Sequence, residues 1–143
     1  MPLDPLFSVA SALAALGWLL LILLPRHRIA LLVAGVGIPL TIAALYLVLI
    51  ALYFPTAKGG FGSLADVAAL FSEPALLLAG WVHYLAFDLF IGAWETRDAQ
   101  ARNVPHLLLI PCLILTFMLG PIGLLAYFAV RTMRGARTTA GAL

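Results

Sequence analysis

The sequence predicts an all-α, polytopic membrane protein with four transmembrane helices in a bundle and a short interfacial helix between the second and third. Three observations predict it. Hydrophobic residues fill 64% of the 143 positions and charged residues only 10%. Mean hydropathy is +1.13, far above what the charged surface of a soluble domain this size allows. The apolar residues fall into four long runs, and the basic residues sit in the short connections between them. The whole chain, 1–143, therefore reads as one transmembrane domain.

Phe7 to Leu24 (7–24) is the first span, with Gly17 and several alanines permitting close helix approach. The residues before it contain no basic region and no Ala-x-Ala-like cleavage site, so this run is expected to be retained. Pro25-Arg26-His27-Arg28 ends it, because proline breaks the hydrogen-bond ladder and the arginines need water or headgroups. Ile29 to Phe54 (29–54) is longer than hydrocarbon requires. Pro39, which cannot donate to the carbonyl of Gly35, is expected to bend it near its middle.

Pro55 to Ser72 reads as a flexible loop leading into an amphipathic segment at 63–72. Ser63 is its cap, and Leu64, Val67, Ala68 and Phe71 form its stripe. Glu73 and Pro74 open the third span, 74–94, with an acid beside the positive end of the helix. Glu95 to Pro105 reads as a hydrophilic loop, and 106–130 as the fourth span. Pro111 and Pro121 in that span free the carbonyls of Leu107 and Phe117 for neighbouring hydroxyls such as Thr116. Residues 131–143 read as a flexible tail. With four spans both termini share a side, and the basic residues then divide evenly. Arg26, Arg28, Arg97 and Arg102 oppose Lys58, Arg131, Arg134 and Arg137, which leaves only a slight preference for cytoplasmic first and third loops.

The chemistry concentrates between Trp81 and Asp98. His83 lies beside the midpoint of the third span, and Asp88 about 6 Å further along the axis. An ionisable group at that depth costs roughly 2.5–3.5 kcal/mol to insert and by default marks function. The alternative is an interhelical lock, worth about 0.6 kcal/mol per hydrogen bond. On a helical wheel Trp81, Tyr84, Asp88, Gly92 and Glu95 fall within about 80°, while His83 lies about 140° from Asp88 on a face with Phe87, Phe90 and Trp94. The two groups therefore either line one cavity around a central helix or bond different neighbours.

Several classes are excluded or disfavoured. The eight Lys/Arg form no single patch suited to nucleic acid. The single cysteine, Cys112, forbids an intrachain disulfide or a cysteine metal cluster. His27, His83, His106 and Asp88 show no recognised ligand spacing, so neither a metal nor another cofactor is expected. The only lysine, Lys58, lies in a loop and cannot carry a buried Schiff base.

Gly80-Trp-Val-His-Tyr-Leu-Ala-Phe-Asp-Leu-Phe, Asp98 ten residues after Asp88, and Phe117-Met-Leu-Gly-Pro-Ile-Gly in the last run together resemble the abscisic-acid-deficient-4-like family of small four-span membrane proteins. Trp81, His83, Asp88, Leu89 and Phe90 carry the most specific part. The chain departs from the plant pattern in lacking an N-terminal transit segment and in the residues after Phe90, so it looks like a bacterial member, expected in the inner membrane. Plant members are linked to neoxanthin synthesis from violaxanthin. The resemblance implies a non-redox isomerisation that opens an epoxide on a carotenoid or similar isoprenoid, a lipid-soluble partner. His83 and Asp88 are the implied catalytic acid–base pair. Trp81, Tyr84, Phe87 and Trp94 are expected to hold a flat polyene, with Glu73, Glu95 and Asp98 supporting at the span ends and in the loop. A non-catalytic carotenoid- or lipid-binding role and a structural assembly role are the alternatives. Association into homo-oligomers is left open.

Overall fold

The structure is a computed structural model that describes residues 2–140, with side chains as far as Arg134. Among these it is all helical: α1 Leu3–Leu23, α2 Arg28–Thr56, α3 Leu64–Phe71, α4 Pro74–Ala101, α5 His106–Leu119 and α6 Pro121–Ala140. Helices α1, α2 and α4 are each long and apolar enough to cross a membrane, and α5 is a shorter apolar helix.

Helix α4 is the axis of the bundle and packs on all the others. Small residues make this possible. A Cβ on Gly17 would lie 2.5 Å from the side chain of Leu89, one on Gly35 would lie 2.8 Å from Ala93, and one on Gly92 would lie 2.5 Å from the ring of Trp18. Helices pressed this closely gain dispersion contact, the main attraction available where no water is displaced. Gly92→Ala is accordingly expected to tilt the buried Trp18 ring and cost about 2 kcal/mol, the usual penalty of overpacking. Thermal unfolding in detergent would measure it against Gly60→Ala, a site with no atom within 4 Å of the new methyl.

Four features differ from the sequence-based expectation, each for a local reason. First, α4 has 28 residues, about 42 Å at 1.5 Å per residue, and continues two turns beyond Trp94 through most of the predicted 95–105 loop. Its polar groups are satisfied within the fold, so nothing ends the helix. Thr96 donates to the carbonyl of Gly92 at 2.8 Å, Arg97 to that of Leu31 at 3.2 Å, and Asp98 accepts from Arg102 four residues on.

Second, the irregular turn of α2 lies just ahead of Pro39. Val33–Gly37 is a π-helical turn in which the Ile38 N–H reaches the carbonyl of Val33. A widened turn of this kind eases the approach of a proline that lacks its own donor.

Third, α3 is capped by Ser63, whose hydroxyl accepts from the Asp66 N–H at 3.1 Å and donates to the Asp66 carboxylate at 2.7 Å. Its buried side is rotated from the predicted stripe. Leu64 is 86% exposed while Leu70 is buried, and Phe71 covers Gly80.

Fourth, the run at 106–130 is not one helix. Pro111 is absorbed within α5, but at Gly120 the backbone turns left-handed, with φ +38. Pro121 starts α6 and the chain doubles back. Opposite α4, Thr116 meets Glu95, Phe117 meets Tyr84 and Gly120 meets Asp88. The return arm then brings Tyr127 and Arg131 back down to Asp98. The two arms form a helical hairpin with its tip at mid-height on α4. Gly123 sits against the backbone of Thr116 at the crossing. The return arm continues through the predicted tail as far as Ala140, and residues 141–143 of that tail lie outside the described residues.

Candidate functional site

The polar stripe of α4 faces α1 and the hairpin. At its upper end the Trp81 indole N–H donates to the Ser11 hydroxyl at 3.2 Å, and its ring packs on Phe7 and Tyr84. One turn on, the Tyr84 hydroxyl donates to the carbonyl of Phe117 at 2.7 Å. That carbonyl is free because its helical partner would be the N–H of residue 121, which is proline. The sequence locates the freed carbonyl, and the structure supplies Tyr84 instead of Thr116 as its donor.

Asp88 comes next, beside Tyr84 and against the hairpin tip. A Cβ on Gly120 would stand 2.9 Å from both carboxyl oxygens, so this turn needs glycine for space as well as for its positive φ. Asp88 Oδ2 is buried and, among the described residues, has no hydrogen-bond partner. A polar atom left so is costly, and such groups cluster where function requires them.

Two turns further on, Glu95 is fully buried. Thr116 Oγ1 lies 3.1 Å from each of its oxygens and 2.9 Å from the carbonyl of Cys112. A hydroxyl has one proton to give. All three groups are satisfied together when Glu95 carries a proton and donates to Thr116, which in turn donates to Cys112.

The lower end closes on Asp98. It accepts from the buried Tyr127 hydroxyl at 2.5 Å and pairs with Arg102 at 3.0 Å and Arg131 at 3.2 Å. Trp94 meets Tyr127 edge-on and stacks with Phe128, over which the Arg131 guanidinium sits at 5.1 Å.

His83 is elsewhere. It stacks on Phe87 with ring centroids 4.6 Å apart and approaches Tyr46 at 5.5 Å. With Ile50, Phe54, Phe61 and Phe71 it lines a largely apolar groove of about 280 Å³ between α2, α3 and α4. His83 and Asp88 therefore face different neighbours, and the structure does not bring them together. The physical reason is their angular separation on one straight helix. For the same reason the predicted polyene cleft of Trp81, Tyr84, Phe87 and Trp94 divides into three. Trp81 and Tyr84 join Phe7, Phe87 joins His83, and Trp94 joins Tyr127 and Phe128. Glu73 stands at the start of α4 without capping it through its side chain.

Of the remaining histidines, His27 Nδ1 caps α2 by accepting from the Ala30 N–H, and His106 Nε2 donates to the carbonyl of Ile22 at 2.8 Å. Among the described residues no group of three or more His, Cys, Asp or Glu is placed to hold a metal ion. Tyr127 and Arg131 carry no signal as site residues in the sequence, whereas Thr116 is marked only as a hydroxyl for the freed carbonyls and Gly120 and Gly123 only as part of the Phe117–Gly123 stretch, where Gly120-Pro121 also signals a helix stop followed by a helix start.

Residues 5–127 match the family model described as ABA DEFICIENT 4-like. The chain belongs to the ABA4-like family. The match takes in the stripe of α4 and the ABA4-like chain's hairpin as far as Tyr127, so the Tyr84–Asp88–Glu95 seam lies wholly within the family region. No curated protein and no solved structure matches this ABA4-like chain.

Proposed function

We propose that this ABA4-like protein is a multi-pass protein of a bacterial inner membrane that isomerises a carotenoid or similar isoprenoid by opening an epoxide, without redox change. Family membership supports the substrate class. The observation that carries the chemistry is Asp88, held at the hairpin tip beside Tyr84 with one buried oxygen unpartnered among the described residues.

The reaction requires a proton for the epoxide oxygen and a base for a carbon-bound proton nearby. A single carboxyl supplies both. Asp88 gives its proton to the epoxide oxygen as the C–O bond breaks. Its second oxygen takes the proton from the neighbouring carbon as the new C=C bond of the allene forms, which returns Asp88 to its starting state. Tyr84, anchored on the Phe117 carbonyl, orients the carboxyl. Phe7, Trp81 and Phe117 expose apolar rings along the same side, a flat surface for a polyene entering from lipid. His83 has no part in proton transfer on this reading.

Expression in a carotenoid-producing host, with pigments resolved by chromatography at matched membrane levels, tests it. The wild-type chain is expected to yield a new isomer. Asp88→Asn should lower its yield at least 100-fold, the low end of general acid–base contributions, and His83→Ala should leave it within a few-fold. Full product from Asp88→Asn would refute the proposal. A pigment that co-purifies unchanged would favour the second reading, a binding protein, for which the apolar groove beside His83 is the motivating feature.

A further inference from the structure

The hairpin has a consequence for sidedness that goes beyond the proposed reaction. Because α5 and α6 rise and return along the same half of α4, the C-terminal arginines come back to the end where the α1–α2 and α4–α5 connections lie. The contacts establish this end directly. The Gln100 side chain donates to the carbonyl of Pro25, His106 to that of Ile22, Arg97 to that of Leu31, and Asp98 pairs with both Arg102 and Arg131. Arg26, Arg28, Arg97, Arg102, Arg131 and Arg134 all belong to this end, and Arg137 follows on the same helix. Lys58 is the sole lysine and sits in the connection at the opposite end, which also carries Asp4, Asp66 and Glu73. The four-against-four division of a four-span chain becomes seven against one.

The arginine end also holds a cavity of about 300 Å³ whose lining is about half polar, with Arg26, Gln100, Asn103 and His106 set against Val104 and Leu109. Arg26 and Arg28 are exposed and make no ion pair among the described residues. Asp98 is the one acid near the surface here, and Arg102 and Arg131 already occupy it.

We propose that the chain crosses the membrane three times and inserts α5–α6 as a re-entrant hairpin. Its N-terminus then faces the periplasm, and its arginine end rests on the anionic cytoplasmic leaflet with a phospholipid headgroup phosphate at Arg26 and the cavity it borders. Backbone that turns inside a bilayer is tolerated where protein buries it, and here Gly120, the turning residue, is buried against Asp88 of α4 while the apolar side chains of Met118, Leu119 and Ile122 face outward. The excess of arginine sets the orientation, and the negative surface potential of that leaflet holds juxtamembrane arginines in place.

Reporter fusions to the full chain in a bacterial host test the topology. An N-terminal reporter active only in the periplasm and a C-terminal reporter active only in the cytoplasm are both expected to signal. Signals placing the termini on one side would mean an even number of crossings and overturn the proposal, as would the inverted arrangement.

The headgroup is tested with the purified full chain in nanodiscs containing phosphatidylglycerol and phosphatidylcholine, scoring bound lipid by native mass spectrometry. Phosphatidylglycerol should be preferred. Each of Arg26→Gln and Arg28→Gln should reduce that preference about five-fold, the effect of one basic residue at an anionic surface. An unchanged preference in the double variant, with its unfolding temperature intact, would overturn the lipid site. Displacement of the lipid by millimolar inorganic phosphate alone would replace it with a soluble-anion site.

Discussion

Gly123→Ala is expected to destabilise the protein by about 3 kcal/mol, combining an overpacking penalty with a lost buried hydrogen bond and offset by the better helix propensity of alanine. The new methyl would overlap the backbone nitrogen and hydroxyl of Thr116. A backbone atom in a helix cannot swing aside as a side chain does, so the two arms of the hairpin must part. Their separation draws Thr116 away from Glu95, whose only side-chain hydrogen-bond partner it is among the described residues, and strands a fully buried carboxyl. Chemical unfolding in micelles or nanodiscs would measure the loss. Wild-type stability in Gly123→Ala would mean that the arms are not pressed together at this crossing. The same variant should lower isomer yield, because the hairpin tip that confines Asp88 moves with the arms.

Asp98→Ala should cost about as much, roughly 3–4 kcal/mol, because it empties a junction shared by three partners. The Tyr127 hydroxyl is fully buried and loses its acceptor, and Arg131 loses its acid while still packed over Phe128. Arg102 contributes little to this figure, since its side chain is 49% exposed and exposed pairs are worth under about 1 kcal/mol. The Tyr127 share can be isolated. Tyr127→Phe removes donor and polarity together, so the double variant should be less destabilised than the sum of the single ones by about 1–2 kcal/mol. Strict additivity of the two would show that the 2.5 Å contact carries no energy of its own. Asp98 lies ten residues from Asp88 along α4, so its loss tests the return arm of the hairpin and not the proton transfer.

Much of the site's geometry was legible in advance wherever it depended on one helix alone. The period of α4 places Trp81, Tyr84, Asp88, Gly92 and Glu95 on one face, and in the structure each meets α1 or the hairpin. The same period sets His83 apart from Asp88, which is how the two are found. The missing donor at Pro121 identifies a free carbonyl at Phe117, and Tyr84 fills it. Two helix boundaries differ from the reading by hydropathy, because hydropathy does not report where a helix ends. The 95–105 segment looks like a loop because it is charged, yet its charges are absorbed by Thr116, the Leu31 carbonyl and Tyr127, none of them near in sequence. Residues 106–130 look like a span because they are apolar, yet an apolar run is satisfied equally by lipid and by a helix beside it.

The sequence by itself determined the membrane class, the family, the polar face of the central helix and the positions where proline frees the backbone, because each follows from composition or from contacts within a few residues. Tertiary structure decided that the last apolar run doubles back at Gly120, that Thr116, Tyr127 and Arg131 complete the seam, and that the arginines gather at one end. Those outcomes depend on which surface each helix packs against, and the energy of such packing resides in contacts between residues far apart in the chain.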